Sequence, residues 1–169
     1  MRILILLIFL MSNSFADEVL DIKNLVIHKE FKKYDSLTFL NAQKDQLNLD
    51  DYKGNLILLN FWATWCLPCK EEMPSLDLLH KNKDLDNLKI FPINVGQENL
   101  EKTSIFFKDL EIENLKIYYD SPITLAKKLG LRGIPTTVLL NKNGFEFARI
   151  VGSIDFNNRE FIEWLKKYN

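Results

Sequence analysis

The sequence holds two cysteines among its 169 residues, and only two residues separate them, in Trp65-Cys66-Leu67-Pro68-Cys69. A disulfide between partners this close closes almost no loop, so it constrains the unfolded chain little and adds little stability. The pair is therefore read as a redox-active dithiol that alternates between two thiols and a disulfide, with a merely structural bridge as the alternative at this level. A structural zinc site would need four ligands, and the two histidines, His28 and His80, stand alone with no paired spacing. Covalent haem attachment would need a histidine directly after the second cysteine, where the chain has Lys70. No metal and no cofactor is expected.

The elements around the pair give the two sulfurs separate tasks. Residues 55–63 form a continuous apolar run, as in a strand buried on both faces, and a helix is predicted from Pro68 to about Lys83. A strand running into a helix start sets Cys66 among unpaired N–H groups at the positive end of the helix dipole, which favour its thiolate. The thiolate is the attacking species, so Cys66 is the expected nucleophile. Cys69, about one turn further in and more buried, is expected to resolve the mixed disulfide. Pro68 suits an early helical position, where its missing N–H would lack a partner anyway. Met73, Leu76, Leu79 and His80 are placed on one side of this helix, and Pro74 inside it is expected to kink it. Trp65 is read as a surface cap over the sulfurs, available to a partner, and Trp62 as a packing residue.

Further along, Leu37-Thr38-Phe39-Leu40 and Gln46-Leu47-Asn48-Leu49 flank a polar Lys44-Asp45 and suggest a hairpin. Residues 88–95 read as a strand, and 99–110 as a helix carrying Leu100, Ile105, Phe106 and Leu110. Residues 115–119 read as a short strand and 122–129 as a helix ending at Gly130. Residues 136–140 and 145–151 flank Asn143-Gly144, a strong hairpin signal. Asp155 or Asn157 can cap a last amphipathic helix with Phe161, Ile162, Trp164 and Leu165. Strands alternating with helices, closed by a hairpin and a helix, predict an α/β fold: a mixed central sheet with helices on both faces.

The length suits one domain, and 47% hydrophobic residues can build a core. A net charge of −1 with acids and bases interspersed excludes a dedicated nucleic-acid binder, which would show a basic face. Residues 1–16 are expected to be a signal peptide: Arg2, an apolar run over residues 3–11, then Ser14 and Ala16 before a cut. That run is about half of the roughly 20 residues that span a bilayer; retention as an N-terminal membrane anchor is the alternative. Either way the chain beyond enters an oxidising compartment. Residues 17–36 read as a leader segment with little firm structure, and 37–169 as the folded domain.

Three separated blocks carry a family resemblance: residues 60–69 running on into Glu71-Glu72-Met73-Pro74, then Gly133-Ile134-Pro135-Thr136-Thr137, then Asn143-Gly144 with Gly152. In these, from about Leu37 to the C-terminus, the sequence resembles the TlpA/ResA/DsbE (CcmG) branch of exported thioredoxin-like thiol–disulfide oxidoreductases. The resemblance implies a thioredoxin fold with an N-terminal β-hairpin and a central αβ insert containing residues 94–98. It implies a cis Ile134–Pro135 peptide facing the sulfurs, where backbone pairs with an extended substrate segment, so Ile134, Pro135 and Trp65 are the expected substrate-binding residues. Cytosolic thioredoxin has a buried Asp where this chain has Asn60; in the branch it resembles, a glutamate matching Glu72 is implied as the proton acceptor for Cys69. An exposed first-turn glutamate is the other reading of Glu72. The implied activity is dithiol reduction in the periplasm by a monomer, with a possible membrane tether. Its disulfide-containing clients would be apocytochrome c or respiratory copper-site proteins, and a membrane electron-transfer protein would be its reductant. The same fold can run the other way as an oxidase or isomerase, since direction follows reduction potential. A copper-binding chaperone module would need a placed histidine, and His28 and His80 lie outside the motif blocks.

Overall fold

In chain order the computed structural model, which describes residues 22–169, contains β1 (Leu25–Lys32), β2 (Thr38–Asn41), β3 (Gln46–Asn48), a 3-10 turn (Leu49–Tyr52) and β4 (Leu56–Trp62). Then follow α1 (Leu67–His80), β5 (Leu88–Asn94), α2 (Leu100–Asp109), β6 (Tyr118–Tyr119), α3 (Leu125–Lys128), β7 (Thr136–Leu140), β8 (Glu146–Val151) and α4 (Arg159–Lys166). The strands make one eight-stranded sheet in the order β1-β8-β7-β4-β5-β6-β2-β3. β4 is parallel to β5 and antiparallel to β7; the parallel pair needs a crossover, which α1 supplies. This is the mixed sheet of a thioredoxin fold, with β2 and β3 as the expected N-terminal hairpin and α2 with β6 as the insert. The expected signal peptide or anchor, residues 1–16, lies outside the described residues.

Successive strand residues leave opposite faces, so β4 divides the core. Leu56, Leu58 and Trp62 enter one apolar cluster with Met73, Leu76, Phe106, Phe161 and Trp164, from α1, α2 and α4. Ile57, Leu59 and Phe61 enter the other with Phe39 from β2 and Leu125 from α3. Pro92 sits inside β5, between two neighbours, where a proline usually breaks the ladder. Val95 N–H reaches Trp62 O, so by alternation the nitrogen of residue 92 faces away from β4. On that side β6 pairs only with Ile93 and Asn94, and no ladder bond is lost.

Several expectations change. Residues 25–32, read as loose leader, form β1 and pair antiparallel with β8. The buried face of α2 is Thr103, Phe106 and Phe107, while Leu100 and Ile105 are exposed; Thr103 tolerates burial because its Oγ1 bonds Tyr119 Oη at 2.6 Å. His80 is exposed, and Asp77 is the polar residue buried on α1. It accepts from the backbone N–H groups of Asn114 (2.8 Å) and Leu115 (3.0 Å) and so ties α1 to the chain before β6. The predicted strand over 115–119 is reduced to two residues, and the helix over 122–129 starts only at Leu125, after a cis Ser121–Pro122 peptide. The last helix is capped by neither Asp155 nor Asn157 but by Asn158, whose side chain accepts from Phe161 N–H.

What holds β1 is a fully buried carboxylate. Glu146 of β8 accepts from His28 Nε2 (2.6 Å), Tyr34 Oη (2.6 Å), and Arg149 Nε (2.7 Å) and Nη2 (2.9 Å). Burial works against its charge, but the Arg149, Tyr34 and His28 bonds outweigh burial and hold its pKa below the ordinary value. Removing one partner of such a cluster strands the others in the interior. Glu146→Ala is expected to lower stability by about 3 kcal/mol in urea unfolding; a loss under about 1 kcal/mol would mean that the cluster does not hold β1.

Candidate active site

Strand β4 delivers the chain to the dithiol. Ala63 O accepts from Cys66 N–H at 3.1 Å, closing the turn that ends in the N-cap of α1. That cap is Cys66 itself, whose Sγ accepts from Cys69 N–H at 3.3 Å. The two cysteines are disulfide-bonded. Cys66 is 5% exposed and Cys69 not at all, whereas the flanking Trp65 and Leu67 are 68% and 66% exposed. Cys66 therefore lies between two exposed apolar side chains, at a helix N-terminus, a position that favours a thiolate. Trp62 is fully buried and stacks on Phe106 at 4.7 Å, the packing role expected of it.

Ile134–Pro135 is cis. The next residue, Thr136, pairs with Phe61 of β4, so Pro135 comes to the end of the sheet from which β4 runs into Cys66. The Pro135 side chain is buried and Ile134 half-buried, and Pro135 O accepts from Gly152 N–H at 2.9 Å.

Glu72 is 2% exposed, so it is not a solvated first-turn glutamate. Cys69, Glu72, Met73 and Leu76 form one buried stripe of α1. Asn60, on the face of β4 toward α1, donates its Nδ2 to Glu72 Oε1 at 2.7 Å and to Thr137 Oγ1 at 2.9 Å. Burial pushes the Glu72 carboxyl up to about 8; the Asn60 bond and the Ile154 backbone N–H only partly oppose it. Its second oxygen is buried without a hydrogen bond. A carboxyl titrating there lies close to an ordinary cysteine thiol, at about 8.5, so proton exchange between such groups is nearly balanced.

Glu98 belongs to the insert stretch and carries no signal in the sequence that marks it. Its side chain is 4% exposed and pairs with Lys102 Nζ at 2.6 Å. It also accepts from Thr64 N–H (2.9 Å), the Thr64 hydroxyl and Asn94 Nδ2 (2.8 Å). Burial disfavours this anion too, but the bonds from Lys102, Thr64 and Asn94 hold it down at about 2. The loop after β5 is thereby fastened to the loop that carries Trp65 and Cys66. Gly96 permits the close approach: a Cβ there would lie 2.7 Å from Glu98 Oε2 and 3.1 Å from Ala63 Cβ. Among the described residues no group of three or more His, Cys, Asp or Glu is placed to hold a metal ion.

Residues 28–145 match the AhpC/TSA family. The chain is 36% identical over 108 residues to the thiol-disulfide oxidoreductase ResA of Geobacillus thermodenitrificans, covering 63% of this chain and 60% of that one. It thus spans about three fifths of that relative's length. The solved structure of StoA from Bacillus subtilis matches with a TM-score of 0.64 at 26% identity, over 80% of this chain and 97% of that one. A DsbF homologue from Corynebacterium diphtheriae matches with a TM-score of 0.70 at 25% identity, over 86% and 93% of the two chains.

The raised pKa of Glu72 is also a statement about stability. Unfolded, the group titrates near 4.5; folded, at about 8, so between these values the folded state keeps a proton that the unfolded state has released. The contribution is full below pH 4.5 and is lost as pH rises through 8, by roughly 1.4 kcal/mol per pH unit at most. Urea midpoints of the oxidised protein are expected to fall between pH 5 and 8, and Glu72→Gln to flatten that slope. Parallel curves for parent and variant would mean that the carboxyl is effectively solvated.

Proposed function

The chain belongs to the AhpC/TSA family, and from the placement of its dithiol we propose that it is a periplasmic thiol–disulfide oxidoreductase working as a reductase of client disulfides. The observation that carries this reading is the asymmetry of the pair: Cys66 at a helix N-terminus between exposed Trp65 and Leu67, Cys69 fully buried with Glu72 one turn on. In the reduced protein the Cys66 thiolate attacks a client disulfide, forming a mixed disulfide and releasing one client thiolate. Cys69 then passes its proton to the Glu72 carboxylate and attacks the Cys66 sulfur. The second client thiolate leaves, two electrons have gone to the client, and the protein is left as the Cys66–Cys69 disulfide. Glu72 gives its proton up again when a membrane electron-transfer protein reduces the pair.

Trp65, Ile134 and Pro135 receive the client as an extended segment along the sheet end where β4 ends and β7 begins. The clients are apocytochrome c before haem attachment or respiratory copper-site proteins, because thioether formation and copper ligation both require free thiols in an oxidising compartment. The exported setting rests on the sequence of residues 1–16, which suits a cleaved signal peptide or a tether.

Cys69→Ser is expected to stop the cycle at the mixed disulfide and hold clients on Cys66, to be identified by mass spectrometry after non-reducing purification. Peptides with haem-attachment motifs would select the cytochrome branch, copper-site subunits the other. The reductase reading fails if the measured potential lies near roughly −120 mV, the oxidising end of the family range, rather than toward −270 mV. In the same assay Glu72→Gln is expected to slow client reduction about 100-fold and to remove its pH dependence near neutrality; an unchanged pH profile would take the proton-acceptor role away from Glu72.

A further inference from the structure

The turn Gly152–Ile154 touches both halves of this site and is held by a residue outside it. Gly152 N–H donates to Pro135 O at 2.9 Å. Two residues on, Ile154 contributes the backbone N–H that favours the Glu72 anion, without reaching hydrogen-bond geometry. Phe156 N–H donates to Ser75 Oγ at 3.0 Å, and that hydroxyl donates to Glu72 O at 2.7 Å. The segment therefore lies along the turn of α1 that carries Glu72.

Its anchor on the other side is Asn24, at the head of β1. The Asn24 carbonyl accepts from Val151 N–H at 3.0 Å, and its Nδ2 donates to Ser153 O at 3.1 Å. Gly152 between these contacts has φ +101, and a Cβ there would lie 3.1 Å from Asn24 Nδ2. Asn24 has φ +69, in the left-handed region that asparagine tolerates better than most residues. Side chain and backbone of one residue thus hold both sides of the turn.

We propose that Asn24 is a positioning residue for the dithiol chemistry: it clamps the Gly152–Ile154 turn against Pro135 and over Glu72, keeping water from that carboxyl. The proposal rests on the reading of Glu72 as the proton partner of Cys69. Asn24 acts through the turn and touches no reacting atom. Among the described residues the groups that act on Glu72 are neutral, Asn60 from β4 and the Ile154 N–H from the turn, with Cys69 one turn earlier on the same helix stripe, and burial is the dominant cause of its shift. Loosening the turn admits water and lets the carboxyl ionise more readily.

Two substitutions test this in the full-length oxidised protein. Asn24→Gly removes the side-chain clamp and keeps the backbone freedom. Asn24→Asp keeps the shape but turns an acceptor toward Ser153 O, and decides the matter should the glycine variant not fold. The readout is the Glu72 carboxyl titration by carbon-13 NMR, with Tyr34→Phe, which removes one bond to Glu146 from the other end of the β1 segment, as the control. The expected result is at least a threefold rise in the Glu72 acid constant, a midpoint lower by about half a unit, exceeding any change in the control. The proposal is overturned if neither folded Asn24 variant shows that rise, or if Tyr34→Phe produces as large a one, since Asn24 would then only anchor β1. The titration needs no turnover. A parent protein that cannot reduce client disulfides would overturn the proposed function and leave the clamp to be decided by the NMR midpoint.

Discussion

Burying Glu72 requires a floor, a wall and a cover, and each comes from a different part of the chain. Asn60 of β4 and Thr137 of β7 form the floor, the apolar stripe of α1 the wall, and the turn after β8 the cover. Those same elements fix the sulfurs, because β4 leads into Cys66 and α1 carries Cys69. The apolar cluster that shields the carboxyl also contains both cysteines, Met73 and Trp62. The packing of the dithiol and the burial of Glu72 therefore share one set of contacts, and a cavity opened on this face of the sheet would disturb both.

Three buried glutamates show how surroundings divide one residue type into different tasks. Glu146 and Glu98 are held as anions because cations reach them, Arg149 in one case and Lys102 in the other, with further donors completing each shell. Both fasten distant segments: Glu146 joins β1 to β8, and Glu98 joins the loops that leave β4 and β5. Among the described residues no cation reaches Glu72, only an amide donor and a backbone N–H. Burial then dominates, and the group favours its proton. The two ionised glutamates fasten the frame, while burial sets the third apart by favouring its neutral form.

Much of this was legible before any coordinates. A nine-residue apolar run such as 55–63 has few fates, and the spacing of Cys69, Glu72, Met73 and Leu76 already defines one stripe once Cys69 sets the phase of the helix. The Asn143-Gly144 hairpin was readable for a local reason, a turn matched to the twist of its strands. Features decided by distant partners were not readable. Strand β1 exposes Val26, Ile27 and Phe31 and has no clear alternation; its pairing depends on β8 and on Glu146, more than a hundred positions away. The phase of α2 was misjudged because Thr103, a polar residue, takes the buried place with Tyr119 as its partner. Glu98 looked like any loop acid, since its role depends on Thr64, 34 positions earlier. The cap of α4 is Asn158 rather than Asp155 or Asn157 because the choice among these neighbouring side chains is set by where the backbone turns, which composition does not encode.

The sparse cysteine content has a consequence for how the protein is made. With Cys66 and Cys69 as the only thiols in the sequence, one intramolecular pairing is possible, whereas four cysteines would allow three and six would allow fifteen. The chain therefore cannot scramble its own bonds while it folds. It can emerge, oxidise in any order relative to folding, and still reach a single covalent isomer. Its own covalent structure thus needs no helper to sort it out.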